Sequence, residues 1–183
     1  MPVAPEAGST SPRPGPGPVA PGGEVGPRWS TREAQPTDAA FLDALYVETR
    51  LDEVLAWGFP PDLARSFLQS QAQVQRRAYA LQFPGASTTI LLQAERPVGR
   101  LIVAWQVPDL RVVDVSIVAA ARGRGLGTWI LSRLFARATA LQAGVRLRAA
   151  ANGRARALYQ RLGFHDAAPV EQDGSVTMEW RPA

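Results

Sequence analysis

The residues with the most specific chemical potential in this sequence form a glycine-rich segment, Arg122-Gly-Arg-Gly-Leu-Gly127. A hydrophobic strand is predicted to end near Val118, and a helix is predicted to start directly after the glycines. Glycine adopts positive φ angles and keeps Cβ atoms away from a ligand. A helix start presents unpaired N–H groups and a partial positive charge, and both attract pyrophosphate. The segment therefore predicts a phosphate-binding loop.

Other interpretations of the same segment can be compared with this one. A Walker A loop requires a lysine that reaches the terminal phosphates, and the chain contains no lysine. A dinucleotide-binding fingerprint requires G-x-G-x-x-G and an acidic residue about 20 residues later. Here the glycines follow G-x-G-x-G, and the next predicted strand runs into Arg148-Ala-Ala-Ala-Asn152 without an acid. A glycine turn that binds no ligand is the remaining alternative.

A second segment, Asn152-Gly-Arg-Ala-Arg-Ala-Leu-Tyr-Gln-Arg-Leu-Gly-Phe164, follows at the next predicted strand-to-helix junction. It resembles the Asn-x-x-Ala-x-x-Leu-Tyr-x-x-x-Gly-Phe signature of the GCN5-related N-acetyltransferases, the GNAT superfamily. The first segment resembles the [Arg/Gln]-x-x-Gly-x-Gly motif of the same family. The two motifs together are the basis on which the chain is identified as a member of that superfamily.

The resemblance implies a mixed α/β sheet, flanked by helices and splayed between its fourth and fifth strands, where acetyl-CoA inserts. Those strands would be Arg111–Val118 and Val145–Ala149. It also implies that the pantetheine arm of the cofactor pairs with backbone groups of Val115 and Ile117. The resemblance further assigns cofactor contacts to the glycine-rich segment and the helix start after it, at Arg122, Gly123, Arg124, Gly125, Leu126, Gly127 and Thr128. Asn152 is expected to contact the pantetheine arm, to cap the following helix, or to do both.

Catalytic roles are implied in the same way. The Tyr159 hydroxyl would protonate the departing thiolate, and a core tyrosine is the alternative interpretation. Asp114 is the first candidate for the base that deprotonates the amine, with Glu48 second; an ion pair with an arginine is the alternative role of Asp114. Members that acetylate ribosomal-protein N-termini have a glutamate where this chain has Leu147. Because the chain has no cysteine, transfer is expected to pass directly from thioester to amine.

The elements that must position these residues are predicted in the order β-α-α-β-β-β-α-β-α-β, which gives a mixed α/β sheet. The unit from Val112 to Arg148 implies a parallel crossover. The second helix is predicted to open at Pro60-Pro61-Asp62, and residues 95–99 to form a turn. The apolar stripe of that second helix is predicted to be Leu63, Phe67, Val74, Ala78 and Leu81.

Composition limits the remaining possibilities. The net charge is +4, and all 20 basic residues are arginine. Ten of them lie between Arg111 and Arg161, a stretch with Asp114 as its one acid, which suits polyphosphates or nucleic acids. Residues 38–62 are acidic and are expected to attract a cationic amine. The lack of cysteine and the single histidine, His165, make catalytic thiol, Ser-His and metal chemistry improbable, and no metal is expected.

The expected protein therefore has a disordered Pro- and Gly-rich tail over residues 1–27 and one acetyltransferase domain over residues 28–183. The expected activity is acetyl transfer from acetyl-CoA to the primary amine of a small molecule in the cytoplasm. No membrane or nucleic-acid partner is expected, and a homodimer is left open. The alternatives are a macromolecular acceptor, such as aminoacyl-tRNA or a protein amine, and an acyl-CoA sensor without turnover.

Overall fold

The computed structural model of the chain describes residues 29–182, so the tail of residues 1–27 lies outside the described part. The strands are β1 (Ser30–Glu33), β2 (Ser87–Gln93), β3 (Arg96–Gln106), β4 (Asp109–Ile117), β5 (Val145–Ala150), β6 (His165–Asp166) and β7 (Ser175–Trp180). The helices are α1 (Ala39–Ala56), α2 (Pro61–Gln82), α3 (Leu126–Ala140) and α4 (Arg154–Arg161). The predicted order of elements is confirmed, with the short β6 as an addition.

The strands form one sheet in the order β1-β2-β3-β4-β5-β7-β6. The first four strands pair antiparallel in sequence order, because short turns connect β2, β3 and β4. Helix α3 carries the chain from β4 to β5 as a crossover, and these two strands pair parallel as predicted. The sheet is therefore mixed, and the predicted fold class is confirmed.

The junction between β4 and β5 is short. Within residues 29–182, only Leu110 with Val145 and Arg111 with Arg146 are paired in register, and the rest of β4 has no partner strand on that side. At the paired end the buried carboxylate of Asp109 accepts a hydrogen bond from the Gly144 amide at 3.0 Å. Arg146 and Arg181 also bind that carboxylate, so we call Asp109, Gly144, Arg146 and Arg181 the junction clamp.

Apolar side chains cover both faces of the sheet. One face packs against α3 and α4 through a large cluster that includes Leu101, Ile130, Leu134, Leu147 and Met178. The other face packs against α1 through a smaller cluster of Leu42, Ile90 and Leu92. The helices therefore form a layer on each face of the sheet. The open end of the β4–β5 junction lies in the sheet, between these two layers.

The predicted apolar stripe of α2 is wrong except at Phe67, which is partly buried and packs against the cluster between α1 and α2. Leu63, Val74 and Leu81 are exposed, and Leu81 retains 84% of its surface. The buried residues are Ala64, Leu68 and Ala72, which pack against α1. Both series have helical spacing, but small alanines let two helices approach closely, and that contact decides which series is buried.

The predicted turn at residues 95–99 is also shorter than expected. Ala94 and Glu95 both have positive φ angles and make the tight turn between β2 and β3. Strand β3 begins directly afterwards, at Arg96. Gly99 lies inside β3, where a Cβ atom would come within 2.6 Å of the Ser116 carbonyl oxygen. This glycine is therefore required by the close approach of β4 and not by a turn.

Candidate functional site

A cleft of about 790 Å³ opens where β4 and β5 separate. Its walls come from the end of β4, the glycine-rich segment, the first turn of α3, one face of α4 and Thr49 of α1. Most of the cofactor-binding residues predicted from the sequence line this cleft: Val115, Ile117, Arg122, Gly123, Gly125, Leu126, Gly127 and Thr128. The fold thus brings the two sequence motifs to one place.

The free edge of β4 faces the cleft. The amide of Val118 donates to the carbonyl of Val98, so alternate residues of β4 bond to β3 from there backwards. In an antiparallel pair the residues between them direct their backbone groups the other way. Val115 and Ile117 therefore direct their amides and carbonyls to the β5 side of β4. At this end β5 has separated from β4, and no other strand within residues 29–182 pairs with this edge. The carbonyl of Ile117 accepts a bond from Arg122 Nε at 2.8 Å, which places that guanidinium on the same edge.

The glycine-rich segment has the conformation that its sequence predicts. Gly123 and Gly125 have φ angles of +70° and +90°, and nothing lies within 4 Å of a Cβ built on either residue. Gly125 is the N-cap of α3, and Trp129 is the residue whose amide bonds to the Gly125 carbonyl. The amides of residues 126–128 precede that bond and have no acceptor within the helix. The segment therefore offers open space in front of several free N–H groups, as an anion-binding site requires.

Tyr159 projects from α4 into the same cleft. It is buried and packs edge-on against Phe164, with ring centroids 5.6 Å apart. No group within residues 29–182 forms a hydrogen bond with its hydroxyl, which faces the cleft. Burial, and secondly the negative charge of Asp114, raise the pKa of Tyr159 to about 12. The hydroxyl is consequently protonated at neutral pH and can act as a proton donor.

Asp114 lies on the other face of β4, towards α2. Its Oδ2 atom accepts hydrogen bonds from Arg100 Nε at 2.7 Å and from Ser116 Oγ at 2.8 Å. Arg100 is buried and also donates to Gln75 of α2. Both bonds to the carboxylate fall on Oδ2, and no donor within residues 29–182 reaches Oδ1. The ion pair considered for Asp114 is present, and it leaves one oxygen of the carboxylate open.

Three other candidates lie elsewhere. Asn152 is exposed in the turn before α4, and the N-cap of that helix is Gly153. Arg124 is exposed and does not line the cleft. Glu48 accepts a hydrogen bond from the Ala119 amide and so links α1 to the end of β4. Leu147, which occupies the position of the ribosomal-protein-type base, is fully buried in the core.

The acidic stretch of residues 38–62 is less available than its composition suggests. Three of its six carboxylates bind arginines, in the pairs Asp38–Arg32, Asp43–Arg76 and Glu53–Arg50. With Glu48 bonded to a backbone amide, only Asp52 and Asp62 of this stretch have no ion pair or hydrogen bond within the described chain. The predicted attraction of a cationic acceptor therefore depends on fewer charges than the sequence offers.

Among the lining residues that the sequence did not predict, two are charged, Arg154 and Arg161. Both stand at variable positions of the second motif, so the motif gives no reason to select them. Their spacing does give a signal, because residues four before and three after Leu158 share its face of the helix.

Comparisons with known proteins agree with this geometry. A family model described as an acetyltransferase (GNAT) domain matches residues 85–166, which span β2 to β6 and hold both motifs. No match was found among functionally curated proteins. The class defined by this split sheet and these two motifs is the acetyl-CoA-dependent N-acetyltransferase. Residues 85–166 therefore form a GNAT acetyltransferase domain.

Solved structures share the fold at low sequence identity. The PaiA N-acetyltransferase of Thermoplasma acidophilum, in complex with coenzyme A, has a TM-score of 0.65 at 10% identity, over 84% of this chain and 99% of that one. A protein from Corynebacterium glutamicum described as histone acetyltransferase HPA2 and related acetyltransferase has a TM-score of 0.61 at 24% identity, over 84% and 96%. The ribosomal-protein-S18-alanine N-acetyltransferase of Escherichia coli has a TM-score of 0.57 at 18% identity, over 84% and 93%.

A further finding concerns membranes. Across residues 29–182, none of the helices combines the length and the apolar character needed to span a bilayer.

Proposed function

We propose that this chain transfers the acetyl group of acetyl-CoA directly to the primary amine of a small molecule. The observation that carries the proposal is the arrangement around the open end of β4. A free strand edge, a glycine-rich helix start and the protonated Tyr159 hydroxyl meet in one cleft. The Asp114 carboxylate lies near enough to influence the pKa of that hydroxyl.

The residues of the cleft fit acetyl-CoA. The backbone groups of Val115 and the amide of Ile117, which face the open side of β4, match the amide-containing pantetheine arm, as an added strand would. The amides of residues 123–128 and the Arg122 guanidinium suit a pyrophosphate. Arg124 lies within the glycine-rich segment and Asn152 lies directly before the start of α4, so both are assigned supporting contacts with the same cofactor. Bound acetyl-CoA supplies the activated acyl group as a thioester.

Proton transfers are assigned to two side chains. Asp114 accepts a proton from the ammonium form of the acceptor through Oδ1, directly or through one water molecule, so that the amine nitrogen can attack. The backbone amides near Ile117 stabilise the developing negative charge on the carbonyl oxygen. The amine nitrogen bonds to the carbonyl carbon, and Tyr159 donates its hydroxyl proton to the sulfur as the carbon–sulfur bond then breaks. The second proton of the attacking nitrogen returns to the Tyr159 oxygen, directly or through water, so that the products are the neutral amide and the free thiol. No residue needs to carry the acetyl group.

The recessed position of these groups favours a slender primary amine. Tyr159 is buried, and the side chain of Asp114 retains only 19% of its exposure. Groups this recessed are reached more easily by an unhindered primary amine than by a bulky or secondary one.

The test is a screen of small amines, lysine-containing peptides and aminoacyl-tRNA with acetyl-CoA. Because the protein has no cysteine, any thiol that appears is released coenzyme A. Mass spectrometry then shows which acceptor carries the acetyl group. Turnover of a small amine is expected. Turnover of peptide or tRNA alone would contradict the small-molecule acceptor, and tight acetyl-CoA binding without any thiol release would identify a sensor.

A further inference from the structure

The cleft contains three arginines that have no acidic partner. Arg122, Arg154 and Arg161 line it, and none of them has a carboxylate within 4.0 Å in the described chain, residues 29–182. Arg156 lies on the same helix but outside the lining, and it binds Asp166 at 2.6 Å and the Ala151 carbonyl at 3.2 Å. On α4, Arg156 faces away from the cleft and has an acidic partner. Arg154 and Arg161 face the cleft and have no acidic partner within residues 29–182.

The two unpaired arginines of α4 flank the start of α3. A Cβ atom on Gly127 would lie 3.1 Å from Leu158 Cδ2, so the middle of α4 packs directly on the first turn of α3. Arg154 and Arg161 lie one turn to either side of Leu158 on the same face of the helix. Both arginines therefore line the same cleft as the glycine-rich segment, on either side of the contact between α4 and α3.

This positive charge is greater than a pyrophosphate requires. A pyrophosphate diester carries one negative charge on each phosphate, and the free amides, the helix dipole and Arg122 already oppose those charges. Coenzyme A has a further phosphate, a monoester on the ribose 3′ oxygen, with a charge of about −1.5 to −2 at neutral pH. Guanidinium groups bind such a phosphate through two parallel hydrogen bonds.

We propose that Arg154 and Arg161 bind the 3′-phosphate of coenzyme A, so that the protein selects coenzyme A over 3′-dephospho-coenzyme A. The inference rests on the proposed function, since it requires that the cleft bind coenzyme A. It concerns two residues whose identity neither motif specifies, and it assigns them to one chemical group of the ligand.

The test is calorimetric titration of the two ligands, coenzyme A and 3′-dephospho-coenzyme A, into the intact protein and four variants. The variants are Arg154→Gln, Arg161→Gln, the double variant, and Arg156→Gln as the matched control from the same helix. The unchanged protein is expected to prefer coenzyme A by about tenfold or more, since charge-assisted bonds to phosphate are strong. The double variant is expected to bind both ligands about equally. Arg156→Gln should keep the full preference.

The outcomes separate the two proposals. If the unchanged protein binds both ligands equally, or if the substitutions weaken both ligands by the same factor, the assignment of the 3′-phosphate is wrong and the proposed function stands. If the unchanged protein binds neither ligand, the proposed function itself fails. The comparison of two ligands on the unchanged protein requires no substitution, so a folding defect in a variant cannot obscure the result.

Discussion

Both ends of the β4–β5 junction contain arginines, but the arginines have acidic partners at one end and none at the other. At the junction clamp, Arg146 and Arg181 bind the buried Asp109 and also approach Glu179, so every charge has a partner. At the open end, the arginines that line the cleft lack acidic partners within residues 29–182. Paired arginines hold the strands together, whereas unpaired ones lie where an anionic ligand is proposed to bind. The number of arginines alone would not reveal this division.

The largest effect is expected from Tyr159→Phe at the open end. Removal of the hydroxyl should lower kcat by about 10²- to 10⁴-fold, because the thiolate would then leave without a proton donor. The dissociation constant of coenzyme A should stay nearly unchanged. Tyr79→Phe is the matched control, since its hydroxyl bonds to Gln75 on α2 and lies outside the cleft lining. Equal kcat values for the two variants would remove Tyr159 from the chemistry.

A large loss of stability is expected from Asp109→Ala at the junction clamp. The substitution leaves the Gly144 amide without its acceptor and removes one of the two carboxylates that Arg146 and Arg181 share, which should lower the free energy of unfolding by about 2–3 kcal/mol. Urea unfolding measures the change. Asp166→Ala removes an exposed partner of Arg156 and should cost less than about 1 kcal/mol. If both variants lose the same stability, the clamp is no stronger than a surface ion pair.

A smaller loss of stability is expected when acid protonates Asp38, the partner of another paired arginine, Arg32. Its hydrogen bonds to Asp38 are the main reason why the pKa of that carboxyl is lowered to about 2 from an ordinary value of 3.8. The ionised form is therefore favoured in the folded protein, and its stabilisation is present above about pH 4 and lost as the pH falls through about 2. The contribution is about 1–2 kcal/mol.

The measurement compares unfolding free energies of the unchanged protein and of Asp38→Asn across that pH range. The difference between them should be constant near neutrality and shrink on acidification. A difference that does not change with pH would mean that Asp38 contributes by packing alone.

The smallest effect is expected from salt, and it distinguishes the two ends most directly. Raising the ionic strength from about 0.05 M to about 0.5 M should weaken coenzyme A binding several-fold, because the cleft arginines are reached by counterions. The stability difference between the unchanged protein and Asp109→Ala should change little, since that carboxylate is only 4% exposed. Salt-independent binding would contradict an electrostatic role for the open end.

Most of the fold was predictable because its signals are local. Alternating apolar residues, the glycines before α3 and the prolines before α2 each mark an element within a few residues. The packed face of α2 was not predictable, since Leu63 and Ala64 each begin an apolar series with the same period. Which series is buried depends on α1, a tertiary contact that the pattern of α2 does not contain.

The candidate site was predictable where a motif fixes residue types. The glycine-rich segment and Tyr159 line one cleft, as the motifs imply, although their roles there remain proposals. Arg154 and Arg161 were missed, because the sequence shows ten arginines between residues 111 and 161 but not which of them have acidic partners. Those partners, such as Asp166 for Arg156 and Glu171 for Arg148, come from a later hairpin that only the folded structure brings near.

The junction clamp also has a consequence for the order in which the chain is made. Asp109 belongs to β4, but its partner Arg181 follows β7 and is separated from it by 72 positions. During synthesis from the N-terminus, β1 to β4 can pair with one another before β5 and β7 exist. Gly144 and Arg146 become available to the Asp109 carboxylate when β5 is made, and Arg181 follows only after β7. The junction clamp can therefore be completed only after β7 has been made, although the pairing of β4 with β5 needs nothing beyond β5.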